Sequence, residues 1–95
     1  MSFTIVSYYY YEPQQKIKNN VHFNDVRYQI FNSIQNLTNS DLSNFKWIKL
    51  IYRNGPFSIE TETSNDNNSI QNGINYISRN INPIGGNVFI EIHRY

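Results

Sequence analysis

Apolar and polar residues alternate with period two over four stretches of the chain and recur at helical spacing over two others, and these six stretches set the expected architecture. Phe3-Thr4-Ile5-Val6-Ser7 runs into Tyr8-Tyr9-Tyr10-Tyr11 and reads as a first strand from about Phe3 to Glu12. Pro13 stops it, because a residue without an N–H cannot continue a central ladder. Gln14 to Phe23 is polar and reads as a connection. Asn24 and Asp25 offer an N-cap and a first-turn acid, and Val26, Ile30, Ile34 and Leu37 follow at helical spacing, so a first helix is expected up to about Thr38-Asn39. Ser40-Asp41-Leu42-Ser43-Asn44 reads as a capped short turn.

Phe45 to Tyr52 alternates again, Arg53-Asn54-Gly55-Pro56 intervenes, and Phe57 to Glu62 forms a third alternating run. Asn-Gly between two such runs signals a hairpin whose two central residues take positive φ. After the polar Ser64 to Asn68, Ser69 is placed to cap a second helix carrying Ile70, Ile74, Ile77 and Ile81, ended by Pro83 and Gly85-Gly86. Gly73 lies in that helix beside Ile70, Ile74 and Ile77, which suggests close approach to the sheet, although in a chain without alanine composition explains it equally well. Asn87 to Arg94 alternates Val88, Ile90, Ile92 against Phe89, Glu91, His93, as a half-buried last strand does.

Strand, helix, strand, strand, helix, strand is the order of the ferredoxin-like βαββαβ sandwich. The expectation is an α+β fold in a single domain spanning residues 1–95. Its four-stranded antiparallel sheet would have strands one and three in the centre and both helices on one face. Ile48, Leu50, Phe57, Ile59, Val88, Ile90 and Ile92 then face the helices. Trp47, Lys49, Ile51, Arg53, Ser58, Glu60, Glu62, Phe89, Glu91, His93 and Tyr95 lie on the open face. From the tyrosine run, Tyr8 and Tyr10 join them if Phe3 and Ile5 are inside; Tyr9 and Tyr11 do so in the opposite phase.

Composition narrows the function classes. The 95 residues include 27 of Leu, Ile, Val and Phe, enough for a folded core near the size at which a core becomes self-sufficient. A net charge of +1, spread along the chain, supplies no long-range field for nucleic acid or an anionic membrane. Without cysteine there is no disulfide, thiol nucleophile or thiolate metal site. No signal peptide or transmembrane stretch is legible, so an intracellular, cytoplasmic protein is expected. The absence of alanine, the 16 asparagines and the eight tyrosines match AT-rich codons, as in an AT-rich viral or phage genome, and that bias alone could account for the number of tyrosines.

No motif implies catalysis, a metal or a cofactor. His22 and His93 are far apart and lack metal-ligand spacing; Glu60 and Glu91 could meet across the open face with His93 nearby, though such carboxylates are usually just solvated. The candidate binding residues are Tyr8, Tyr9, Tyr10, Tyr11, Trp47, Lys49, Arg53, Phe89, His93 and Tyr95, a mixture of rings and cations typical of interaction hot spots. They point to a small non-enzymatic protein-binding module of the inhibitor, immunity or viral accessory kind. The alternatives are a homodimer enclosing a small ligand between its sheets, or a weak single-stranded nucleic-acid binder. The last has little support: the RNA-recognition motif needs a basic residue, a glycine and alternating aromatics in its third strand, and Arg53-Asn54-Gly55-Pro56-Phe57-Ser58-Ile59-Glu60 offers only Phe57 as aromatic.

Overall fold

The computed structural model describes residues 2–38 and 45–94. The turn expected at Ser40 to Asn44 and the candidate Tyr95 lie outside the described residues. Among the described residues five strands and two helices follow one another as β1 (Ser2–Tyr9), β2 (Ile17–His22), α1 (Val26–Thr38), β3 (Trp47–Asn54), β4 (Phe57–Ser64), α2 (Asn67–Asn80) and β5 (Gly86–His93), with a 3-10 turn, Phe23–Asp25, leading into α1. The fold is α+β.

The sheet has five strands, not four, in the order β2-β1-β5-β3-β4. The additional strand is β2, which reads in sequence as a polar connection because only its Val21 is buried. Backbone pairing with β1 defines it: Phe3 faces Val21 and Ser7 faces Ile17. It is an edge strand, and an edge needs no second apolar face. Nor is the sheet wholly antiparallel, since β1 and β5 run parallel. β5, not strands one and three, occupies the centre, between β1 and β3, and β4 stands at an edge. The ferredoxin-like order is therefore corrected. Because β2 takes one side of β1, a single side is left to join the rest of the sheet, and β5 fills it.

Both helices lie on one face and share one core with it. Val26, Ile30 and Ile34 of α1, Ile70, Ile74 and Ile77 of α2, and Ile48, Leu50, Tyr52, Val88, Ile90 and Ile92 of the central strands are all buried. Two local details differ from the sequence signals. The N-cap of α2 is Asp66, whose carboxylate accepts from the Ser69 N–H at 2.9 Å, while Ser69 Oγ accepts from Ser64 N–H. In the β3–β4 hairpin Asn54 pairs with Phe57, so Gly55-Pro56 are the central turn residues. Gly55 takes a φ of 62° and Pro56 cannot, which is the Gly-first II′ arrangement rather than a turn with two positive φ values. No helix among the described residues is long and apolar enough to cross a membrane.

Tyr52 ties the loop before β5 to the core. Its ring is fully buried, its hydroxyl donates to Gly85 O at 2.6 Å, and the same oxygen accepts from Asn82 N–H at 3.2 Å. Gly86 sits so close that a Cβ there would meet Arg53 O at 2.7 Å. Tyr52→Phe leaves the buried Gly85 carbonyl without its donor and removes the acceptor of Asn82 N–H, and unfolding in urea should show a loss of about 1–3 kcal/mol; an unchanged midpoint would show the hydroxyl to be idle. Gly73 likewise makes a close approach, for a methyl there would overlap Thr63 Cγ2. Gly73→Ala is therefore expected to lower stability by about 1–3 kcal/mol through overpacking, despite a helix-propensity gain of about 1 kcal/mol. Thr63→Ser, which removes that methyl, should recover part of the loss in the same denaturation experiment.

Candidate functional site

β1, β5 and β3 carry the site on the sheet face away from the helices. Phe3 and Ile5 are buried in the core, so period two sends Thr4, Val6 and Tyr8 to the other face, and Tyr10 continues the phase with its N–H donating to Ile92 O at 2.8 Å. The register then builds cross-strand rows. Val6, Phe89 and Ile51 form one, with Val6 and Ile51 buried as an apolar floor although no helix covers them. Tyr8, Glu91 and Lys49 form the next, and the imidazole of His93 faces Trp47 beyond it.

Three rings stack at the end of this face. His93 lies between Tyr10, at 4.4 Å between centroids and 22° between planes, and Trp47, at 3.6 Å and 10°. Glu91 holds the stack in place: its Oε1 is 2.7 Å from His93 Nε2, and its Oε2 accepts from the Tyr8 hydroxyl at 2.9 Å. A carboxylate accepts only, so Nε2 is the protonated nitrogen of the imidazole. The His93 and Glu91 side chains are each only 14% exposed. Lys49 Nζ lies 3.5 Å from Glu60 Oε1, so the cation separates the two glutamates that the alternation would bring together. Arg53 stands over Phe89 at 5.3 Å, and Lys16, from the turn before β2, stands over Tyr8 at 5.1 Å.

Seven of the ten candidate residues, Tyr8, Tyr10, Trp47, Lys49, Arg53, Phe89 and His93, thus share this face. Tyr9 and Tyr11 do not. Tyr9 packs against the core and its hydroxyl donates to Leu37 O at the end of α1; Tyr11 stacks on it at 5.8 Å, and the Arg94 guanidinium caps Tyr9 at 3.9 Å. Tyr95 lies outside the described residues. Sequence reasoning missed Lys16 and Lys18, which reach this side because β2 pairs with β1 and sets Lys18 opposite Val6. The period-two signal that would have found them is confined to Ile17, Asn19 and Val21, too polar a set to read as a strand.

The site presents polar tips and ring edges on an open sheet face. Two cavities lined by described residues lie elsewhere, one of about 350 Å³ at Asn54, Phe57, Asn80 and Asn82, the other of about 370 Å³ at Phe23, Asn24, Val26, Arg27 and Ser78. No cluster of three His, Asp or Glu side chains fit to hold a metal occurs among the described residues. Comparison with known protein families, with curated proteins and with solved structures finds no match.

Burial, then the hydrogen bond to Glu91 and its negative charge, push the Tyr8 phenol up to about 12, against the opposing charge of Arg53. Its folded value stands above the ordinary value of about 10. This group's contribution to stability is thus complete below pH 10 and is lost as pH rises toward 12. A tyrosinate absorbance titration of the protein minus that of Tyr8→Phe should show one phenol ionising near pH 12. In Glu91→Gln that component should move down yet stay above the ordinary value, because burial is the larger cause. A component at the ordinary value in the parent protein would refute the buried hydrogen bond.

Proposed function

We propose that the chain is a non-enzymatic protein-binding module that engages its partner through the helix-free sheet face, with the Tyr10–His93–Trp47 stack as its anchor. The observation that carries this reading is that contacts within the chain itself assemble the stack. Glu91 and Tyr8 hold the imidazole, and the imidazole holds both flanking rings. Tyr10 remains 58% exposed. Rigid aromatic rings lose little conformational freedom on association, which is why Tyr and Trp dominate binding hot spots.

The charges on this face support a protein over a nucleic acid. Lys16, Lys18, Lys49 and Arg53 are interleaved with Glu60, Glu62 and Glu91, and those carboxylates would repel a phosphate backbone. Catalysis has less support, because both faces of the His93 ring are covered by other rings. Its one hydrogen-bonding side-chain partner among the described residues is Glu91, which orients the ring but is no nucleophile for it to activate.

Cross-linking capture from the cells of origin tests the reading, using the parent chain beside Tyr10→Ala and Trp47→Ala with folding monitored by circular dichroism. A stoichiometric protein partner is expected with the parent, weakened at least about 30-fold by each substitution, the range of a hot-spot loss. Capture unaffected by both substitutions would overturn it. So would a Tyr10-dependent homodimer in sedimentation, or salt-sensitive quenching of Trp47 by an oligonucleotide.

A further inference from the structure

The sheet ends on two unlike edges. β2 is short and carries Lys18, Asn19 and Asn20, exposed polar residues of the kind that blunt an edge against further pairing. β4 is longer, pairs with β3 in unbroken register from Phe57 to Ser64, and contains neither lysine, proline nor a bulge. Every second residue of β4 turns its N–H and C=O away from β3, and among the described residues no strand takes them up. The molecule thus presents a ready template for one more strand.

Two features of β4 specify what that strand would be. Glu60 and Glu62 stand two residues apart on the helix-free face, with Lys49 opposite Glu62 and Arg53 opposite Ser58 on the neighbouring strand. Lys49 Nζ is 3.5 Å from Glu60 Oε1, and Glu62 makes no salt bridge among the described residues, so its carboxylate is open to a cation on an added strand. On the opposite face, at the start of the strand, the half-exposed Phe57 lines the cavity of about 350 Å³ with Asn54, Asn80 and Asn82. A second copy of the chain fits badly. The two longest antiparallel overlaps of β4 with itself that keep all helices on one side set Glu60 against Glu60, or Glu60 against Glu62, and like charges directly opposed disfavour pairing.

We infer that the β4 edge accepts an extended segment of another protein by strand addition, and that this segment carries two basic residues spaced i, i+2 and an apolar residue at i+5. Run antiparallel to β4, the basic pair faces Glu62 and Glu60 and the apolar residue faces Phe57 and its cavity. Main-chain hydrogen bonds supply the affinity, and the two faces of the edge read the alternate side chains. The surface is separate from the ring stack, so Tyr10→Ala leaves it intact and the two readings fail independently.

The probe is a blocked peptide, Lys-Thr-Lys-Val-Thr-Phe, titrated into the ¹⁵N-labelled chain. Saturable shifts are expected at β4 amides and absent from Tyr10, Trp47 and His93. Glu60→Gln with Glu62→Gln, both surface changes, should weaken binding about tenfold. Methylating alternate peptide nitrogens should abolish it, because that removes the main-chain donors. The proposal is overturned by an absence of saturable binding, by binding undiminished in the double variant or after methylation, or by shifts confined to the ring stack. Tighter binding of the reverse-order peptide, or a β4-mediated dimer in sedimentation, overturns it equally.

Discussion

Insertion of β5 between β1 and β3 is the constraint on which the rest depends. One side of this strand, Val88, Ile90 and Ile92, is fully buried under the helices. The other side, Phe89, Glu91 and His93, forms the middle column of the helix-free face. Core and site are two faces of one ladder, so a slip of one residue would exchange them. That slip is blocked at the start of the strand, where Gly86 fits against Arg53 O and the Tyr52 ring, and the Tyr52 hydroxyl grips the preceding loop. The geometry of the stack thus traces back to a buried phenol on the opposite face.

Much of this was legible in the residues themselves. Period-two and helical spacing locate both helices and four of the strands, because the helices, β1, β3 and β5 each bury a stripe and β4 still alternates half-buried Ile59 and Thr61 with exposed Glu60 and Glu62. The same alternation puts one pair of the run on each face, and the burial of Phe3 and Ile5 selects Tyr8 and Tyr10 for the helix-free side. The pairing order was not legible, because every apolar strand presents the same stripe whichever neighbour it has. β2 escaped for the complementary reason: it buries only Val21, and its place is set by the backbone of β1. Asp66 as a cap and Gly55-Pro56 as the turn were visible residues whose roles depend on register, a non-local quantity.

The tyrosine run illustrates how far composition and position can part. The four residues of the run are chemically identical, yet three of them end in different chemistry. Tyr8 is a hydrogen-bond donor to a carboxylate, Tyr9 closes the end of α1, and Tyr10 is a free ring face. A strand's alternation distributes identical residues between two environments, and the environment assigns the task.

The central place of β5 also orders events in time. β1 with β2, and β3 with β4, are antiparallel pairs that can close as soon as they are synthesised, but the inner edge of each, on β1 and on β3, stays unpaired until β5 is made. The sheet is completed by long-range pairing, with Phe3 meeting Gly86 and Tyr9 meeting Ile92. Contacts of such sequence separation slow folding and prolong the exposure of unpaired edges. Until β5 docks, the nascent chain holds two half-sheets whose inner edges are open to the wrong partner.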